Sequence, residues 1–169
     1  MSHAKNKVEW CLKKAERELK ESDKHRGLVR VEPSLEEAKS HITKAEHYLR
    51  ATEYLKKGNF SDISTGTVFY AMYHCLLAIA VKFGYESENQ ECTFALMYSL
   101  IEDNKIDFEE ELLNKISSLE IKETDKKTTI EVREKYQYGT ELSIKDDLYN
   151  YLFGLANKVI EKTREIIME

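Results

Sequence analysis

Apolar side chains recur along this chain at three- and four-residue steps in long, separate stretches, the spacing that places them on one face of an α-helix. The densest stretch runs from Ser61 to Tyr85. Val68, Met72, Cys75, Ile79 and Phe83 form one face there, Phe69, Leu76, Leu77 and Ala80 form a second, and nothing from Ile63 to Val81 carries a formal charge. A helix apolar on two faces belongs inside a bundle. Because the stretch opens with Ser64-Thr65-Gly66-Thr67 and contains Tyr70, Tyr73 and His74, it reads as a core helix of a folded domain and not as a membrane span.

The flanking stretches are amphipathic and predict further helices. From about Ala4 to Ser22, Val8, Leu12, Ala15 and Leu19 make a narrow stripe on a charged segment, an outer helix ended near Gly27. Leu28-Val29-Arg30-Val31 is expected to cross in extended form to Glu32-Pro33, since the residue before proline avoids the helical region. Ser34 with Glu37 has the spacing of a capping box, and Leu35, Ala38, Ile42, Ala45, Leu49, Thr52 and Leu55 continue a second long helix to Gly58. Asn59-Phe60 leaves room only for a tight turn, so the second and third helices should be antiparallel neighbours. Ser87 with Gln90, Asp107 with Glu110 and Ser143 with Asp146 predict three later helix starts. Between Glu120 and Tyr138 the alternation of Thr128, Ile130 and Val132 suggests an irregular connection with extended character.

Composition agrees with this reading. Among 169 residues there are one proline and six glycines, and 34% are charged, as expected of long helices with few tight turns. The expected fold is all-α, an up-and-down antiparallel bundle, with residues 1–26 as an added N-terminal helix and 27–169 as the body. A net charge of −5 supplies no global attraction for nucleic acid or an anionic membrane. Residues 1–33 are the exception, with nine Lys and Arg against six Asp and Glu. Cys11, Cys75 and Cys92 are odd in number and widely separated, which predicts free thiols in a reducing cytoplasm.

The motifs of common enzyme classes are missing. His3, His25, His41, His47 and His74 form neither HExxH nor a Cys/His cluster, so no metal ligand set is expected. No GxGxxG, P-loop or GxSxG occurs, and no cofactor is expected. Two places offer binding chemistry instead. Tyr70, Tyr73 and His74 lie three and four residues apart and project together from the central helix, where phenol and imidazole rings could stack a base. Arg133, Lys135, Tyr136 and Tyr138 put cations beside aromatics, a composition suited to phosphates and bases. His41 and His47, on the polar side of the second helix, are expected at the surface.

The pieces Lys44-Ala45-Glu46, Gly58-Asn59-Phe60, Phe69-Tyr70-Ala71-Met72-Tyr73-His74 and Arg133 to Tyr138 occur in an order that resembles the HEPN-domain family, in particular its small stand-alone prokaryotic members. The resemblance covers about residues 27–168. It implies a helical bundle similar to the substrate-binding domain of kanamycin nucleotidyltransferase and a homodimer. Family roles include binding nucleotide or RNA, partnering a minimal nucleotidyltransferase in toxin–antitoxin pairs, and metal-independent RNA cleavage. Ribonuclease members carry an Arg followed after four to six residues by a His. Here Arg133 is followed at those positions by Tyr138, Gly139 and Thr140, and no histidine occurs after His74. A phenol with an ordinary pKa near 10 is a poor general base at neutral pH. The resemblance therefore implies a non-catalytic binding protein with Tyr70, Tyr73, His74, Arg133, Tyr136 and Tyr138 as ligand-binding candidates. The alternatives are a ribonuclease using Arg133 with His74 or Tyr138, and a pure protein-interaction subunit.

Overall fold

In the computed structural model, which describes residues 1–117 and 128–169, the chain is an all-α bundle with one small antiparallel sheet. In order, the elements are α1 (His3–Glu21), β1 (Leu28–Arg30), α2 (Leu35–Lys57), α3 (Ser61–Lys82), β2 (Tyr85–Ser87), α4 (Gln90–Glu102), α5 (Glu110–Ile116), α6 (Thr129–Tyr138) and α7 (Asp146–Met168). The helix α3 is the axis. Its composition is apolar enough to cross a membrane, but most of it is buried within the protein by the helices around it. Val68, Phe69, Met72, Cys75, Leu76 and Ile79 are all buried on it, as the two-faced pattern requires.

The turn at 58–60 sets α2 antiparallel to α3. Asn59 there adopts a left-handed φ of 63°, which asparagine tolerates better than most residues. The helix α7 runs antiparallel to α2 and in the same direction as α3. At the starts of α3 and α7, the Ser61 hydroxyl accepts a hydrogen bond from the Ile144 amide at 3.0 Å. At their far ends, Lys82 donates to the Ile166 carbonyl, and Ala38, Ile42, Ala78, Val81 and Ile167 close a small apolar cluster. Everything from β2 to α6 is thus a crossover that returns the chain to the start of α3.

Extended structure at residues 28–30 was expected; its partner was not. Strand β1 pairs with β2 in the register Leu28 to Ser87 and Arg30 to Tyr85. The pairing depends on Gly84, whose φ of +78° reverses the chain after α3 and whose carbonyl accepts from the Val31 amide at 3.0 Å. A side chain at Gly84 would also sit 2.9 Å from the Val31 carbonyl oxygen.

Helix starts differ from the expected boxes. Ser34 caps α2 as expected, accepting from the Glu37 amide at 3.1 Å. Ser87, however, lies in β2, and Asn89 caps α4 instead. Glu109 and Lys145 occupy the cap positions of α5 and α7 without side-chain cap hydrogen bonds, so Asp107 and Ser143 do not act as caps. A reciprocal capping box is present at Thr128 and Glu131, opening α6 where a connection with extended character was expected. Residues 129, 132, 133 and 136 have helical spacing, and of these Thr129, Val132 and Arg133 are buried. Two of those three are polar, so the periodicity does not register as hydrophobic. The rest of that expected connection, 120–127, lies outside the described residues.

The N-terminal helix departs most from expectation. Its buried stripe is Ala4, Val8, Cys11 and Ala15, while Leu19 is exposed. Cys11 is bonded to Cys92 in the first turn of α4, so two of the three cysteines are not free thiols. The expectation of a reducing compartment loses its basis in unpaired cysteines. Cys75 is free and buried, and burial pushes its thiol up to about 12, which makes it inert.

Candidate functional site

Helix α6 packs on α3 and carries Arg133 onto the face of the central helix that α2 leaves open. The side chain is forced inward by the same spacing that buries Val132, and its guanidinium lies 4.5 Å from the centre of the Phe69 ring and 5.9 Å from that of Tyr70. Phe69 is fully buried and Tyr70 is 37% exposed, so one ring is a floor and the other a rim. A planar cation over a ring is favourable, but it satisfies no N–H donor.

Arg133 itself is only 9% exposed, and its Nε has no hydrogen-bond partner. The described ion-pair partner is Glu134, at 3.7 Å and itself largely solvated, which is too far for a hydrogen bond. A buried cation without a close carboxylate carries a desolvation penalty that surface charges avoid. The arrangement is therefore an anion-seeking one: a fixed, permanently charged fork with unused donors beside an accessible aromatic edge.

A line of rings leads away from Arg133 along the α2–α3 groove. Tyr70 meets Tyr48 at 5.7 Å between centroids, and Tyr48 stacks on His74 at 5.5 Å. His74 in turn places its Nδ1 3.0 Å from Nδ1 of His41. Lys44 lies over Tyr48 at 5.3 Å. Tyr48 was not among the expected residues. Its position seven residues after His41 on α2 was the available signal, since two helical turns align such side chains.

The six expected residues therefore separate. Tyr70 and Arg133 come together. Tyr73 stacks on Phe69 at 5.8 Å but directs its phenol towards α4, where it shares a hydrogen bond with the Thr93 hydroxyl at 3.0 Å. Burial raises its phenol pKa above the usual value, as expected of a ring held in the core. His74 points to His41 and Tyr48. Burial, then the neighbouring His41 and Lys44, lowers its pKa to about 4, so it is neutral at neutral pH. His41 is half-buried and paired, not the solvated residue that was expected, while His47 is exposed as expected. Tyr136 is half-buried against the core with Lys135 over its ring at 5.1 Å. Tyr138 is 79% exposed at the end of α6.

For RNA cleavage, Arg133 would need a base beside it. The described partners of His74 are His41 and Tyr48, one turn further along α3 than Tyr70, and Tyr138 projects into solvent from a different side of α6. Among the described residues neither makes a hydrogen bond or ring contact with the guanidinium. Among the described residues no group of three or more His, Cys, Asp or Glu is arranged to hold a metal ion. The chain matches no family model and no curated protein.

Proposed function

We propose that this protein is a non-catalytic binding module of the HEPN type, in which Arg133 receives a phosphate of a nucleotide or RNA and Tyr70 offers its exposed edge to the adjoining base. The observation that carries this reading is the near-complete burial of Arg133 on Phe69 with, among the described residues, Nε unpartnered and Glu134 at 3.7 Å as the one ion-pair carboxylate. Keeping a permanently charged group in that state costs stability, and a ligand phosphate is the chemistry that offsets it through bidentate hydrogen bonds. The separation of His74 and Tyr138 from Arg133 favours binding over cleavage.

A second reading, a subunit that docks a protein such as a minimal nucleotidyltransferase in a cytoplasmic toxin–antitoxin pair or a second copy of itself, is favoured by a separate observation. Tyr54, Phe60, Ile63 and Leu142 are large apolar residues more than half exposed near the end of the bundle formed by the α2–α3 turn. Apolar exposure of that kind on a folded domain marks interaction surfaces.

The two readings separate in one experiment. Fluorescence anisotropy with a labelled short oligoribonucleotide, and with a labelled nucleoside triphosphate, is measured for the parent and for Arg133→Lys. The lysine variant keeps the charge and loses the fork, so affinity should fall at least about tenfold. Equal affinity in the two proteins, or no binding by either, rejects the phosphate reading and leaves the docking one.

A further inference from the structure

The His41–His74 pair takes no part in the Arg133 site, and its geometry suits a different task. The rings face each other across the antiparallel α2–α3 pair with centroids 5.2 Å apart, planes tilted by 32° and Nδ1 atoms 3.0 Å apart. In the free protein this contact is a hydrogen bond, so one imidazole carries its proton on Nδ1 and the other accepts there. Both rings are half-buried, and Tyr48 stacks on His74 and holds it in place. Two nitrogens bound at right angles to one ion, each about 2.0–2.1 Å from it, stand about 3 Å apart, whereas tetrahedral binding needs a wider separation.

We propose that His41 and His74 together chelate one divalent transition-metal ion of the copper(II) or nickel(II) class through adjacent Nδ1 positions, with water or an incoming donor completing the coordination. Imidazole and square-planar geometry are the preferences of those ions. Burial lowers the pKa of both histidines and so favours the neutral imidazole that ligates, leaving the proton shared between the two Nδ1 atoms as the one the ion displaces. On binding, the proton shared between the two Nδ1 atoms passes through solvent to Nε2 of the same ring, and no net proton is released. The charges facing the pair oppose each other. Glu37, one turn before His41 on α2, adds negative charge, and Lys44 on the same helix adds positive charge near His74. With no third His, Cys, Asp or Glu completing a group among the described residues, the site binds as a two-ligand chelate, weaker than a closed structural site.

The test uses the untagged full chain carrying His3→Ala, because a free amino terminus followed by a histidine at the third position is itself a chelate for the same ions. Copper(II) is titrated in, with affinity read by calorimetry and coordination by electron paramagnetic resonance. One equivalent should bind with coupling to two imidazole nitrogens. His41→Gln and His74→Gln should each weaken binding at least about tenfold, as expected when a chelate becomes a single ligand. Lys44→Glu, which leaves both rings in place, should tighten binding and provides the test if a glutamine variant fails to fold. Affinity that is the same in parent and glutamine variants, coupling to a single nitrogen, or no response to Lys44→Glu overturns the proposal.

Discussion

The contact of α1 with α4 buries a bonded cysteine pair behind a rim of solvent-accessible ion pairs, the contact of α3 with α6 buries a charge, and the two treat their reactive and polar groups in opposite ways. At α1 every such group has a partner. Cys11 and Cys92 are bonded to each other, Lys5 pairs with Asp103 at 2.5 Å, Lys7 pairs with Glu91 at 2.9 Å, and Ser2 donates to Glu102 at 2.5 Å. At α6 the central group is left short. Arg133 is buried, yet among the described residues Nε donates to nothing and the ion-pair carboxylate is that of Glu134 at 3.7 Å. The first contact is organised for stability, and the second holds back hydrogen-bonding capacity that something outside the chain can use.

That contrast can be broken most forcefully at the disulfide. Replacing Cys11 and Cys92 by serine, or reducing the bond, opens a loop of 81 residues and should lower the unfolding free energy by about 4 kcal/mol in urea titrations, without affecting ligand affinity at Arg133. A loss of binding on reduction would join the two regions that the structure separates. Next in size is Phe69→Ala. It empties a fully buried site beneath the guanidinium, so stability should fall by about 3 kcal/mol and binding should weaken as well. Loss of stability with unchanged affinity would show that the floor does not position Arg133.

A smaller effect follows from pH. The folded protein holds the imidazoles of His41 and His74 below the ordinary value of 6.5, His74 at about 4, so the unfolded chain binds protons more readily across that interval. Their contribution to stability is complete above pH 6.5 and is lost as pH falls towards about 4. The double variant His41→Gln with His74→Gln should flatten the decline of melting temperature between those limits. An unaltered slope would place the acid sensitivity elsewhere.

Much of the fold could be read from spacing, and the parts that could not have physical causes. The central helix was legible because Val68, Met72, Cys75 and Ile79 repeat without a charge between them. The helix α6 was not, because Thr129 and Arg133 occupy core positions that a hydrophobicity pattern counts as surface. The same substitution of a polar for an apolar residue that hid the helix is the one on which the proposed binding site rests. Arg133 and Tyr70 were legible as candidates, but Tyr73, on the same helix, turns to Thr93, a difference of direction that three-residue spacing cannot resolve. The disulfide was hidden by the distance from Cys11 to Cys92, although Cys11 falls on the Ala4, Val8, Ala15 stripe and so was placed to face the body. Strand β2 is three residues long and exists through its pairing with β1, which no local pattern announces.

The most direct test is Arg133→Leu, read for stability and for oligoribonucleotide binding in the same preparation. If the guanidinium is a poorly compensated charge kept for a ligand, an apolar residue of smaller volume should leave stability unchanged or raise it by up to about 2 kcal/mol, while binding falls at least about tenfold. A variant destabilised by several kcal/mol that binds as well as the parent would contradict the account, and would make Arg133 a structural residue.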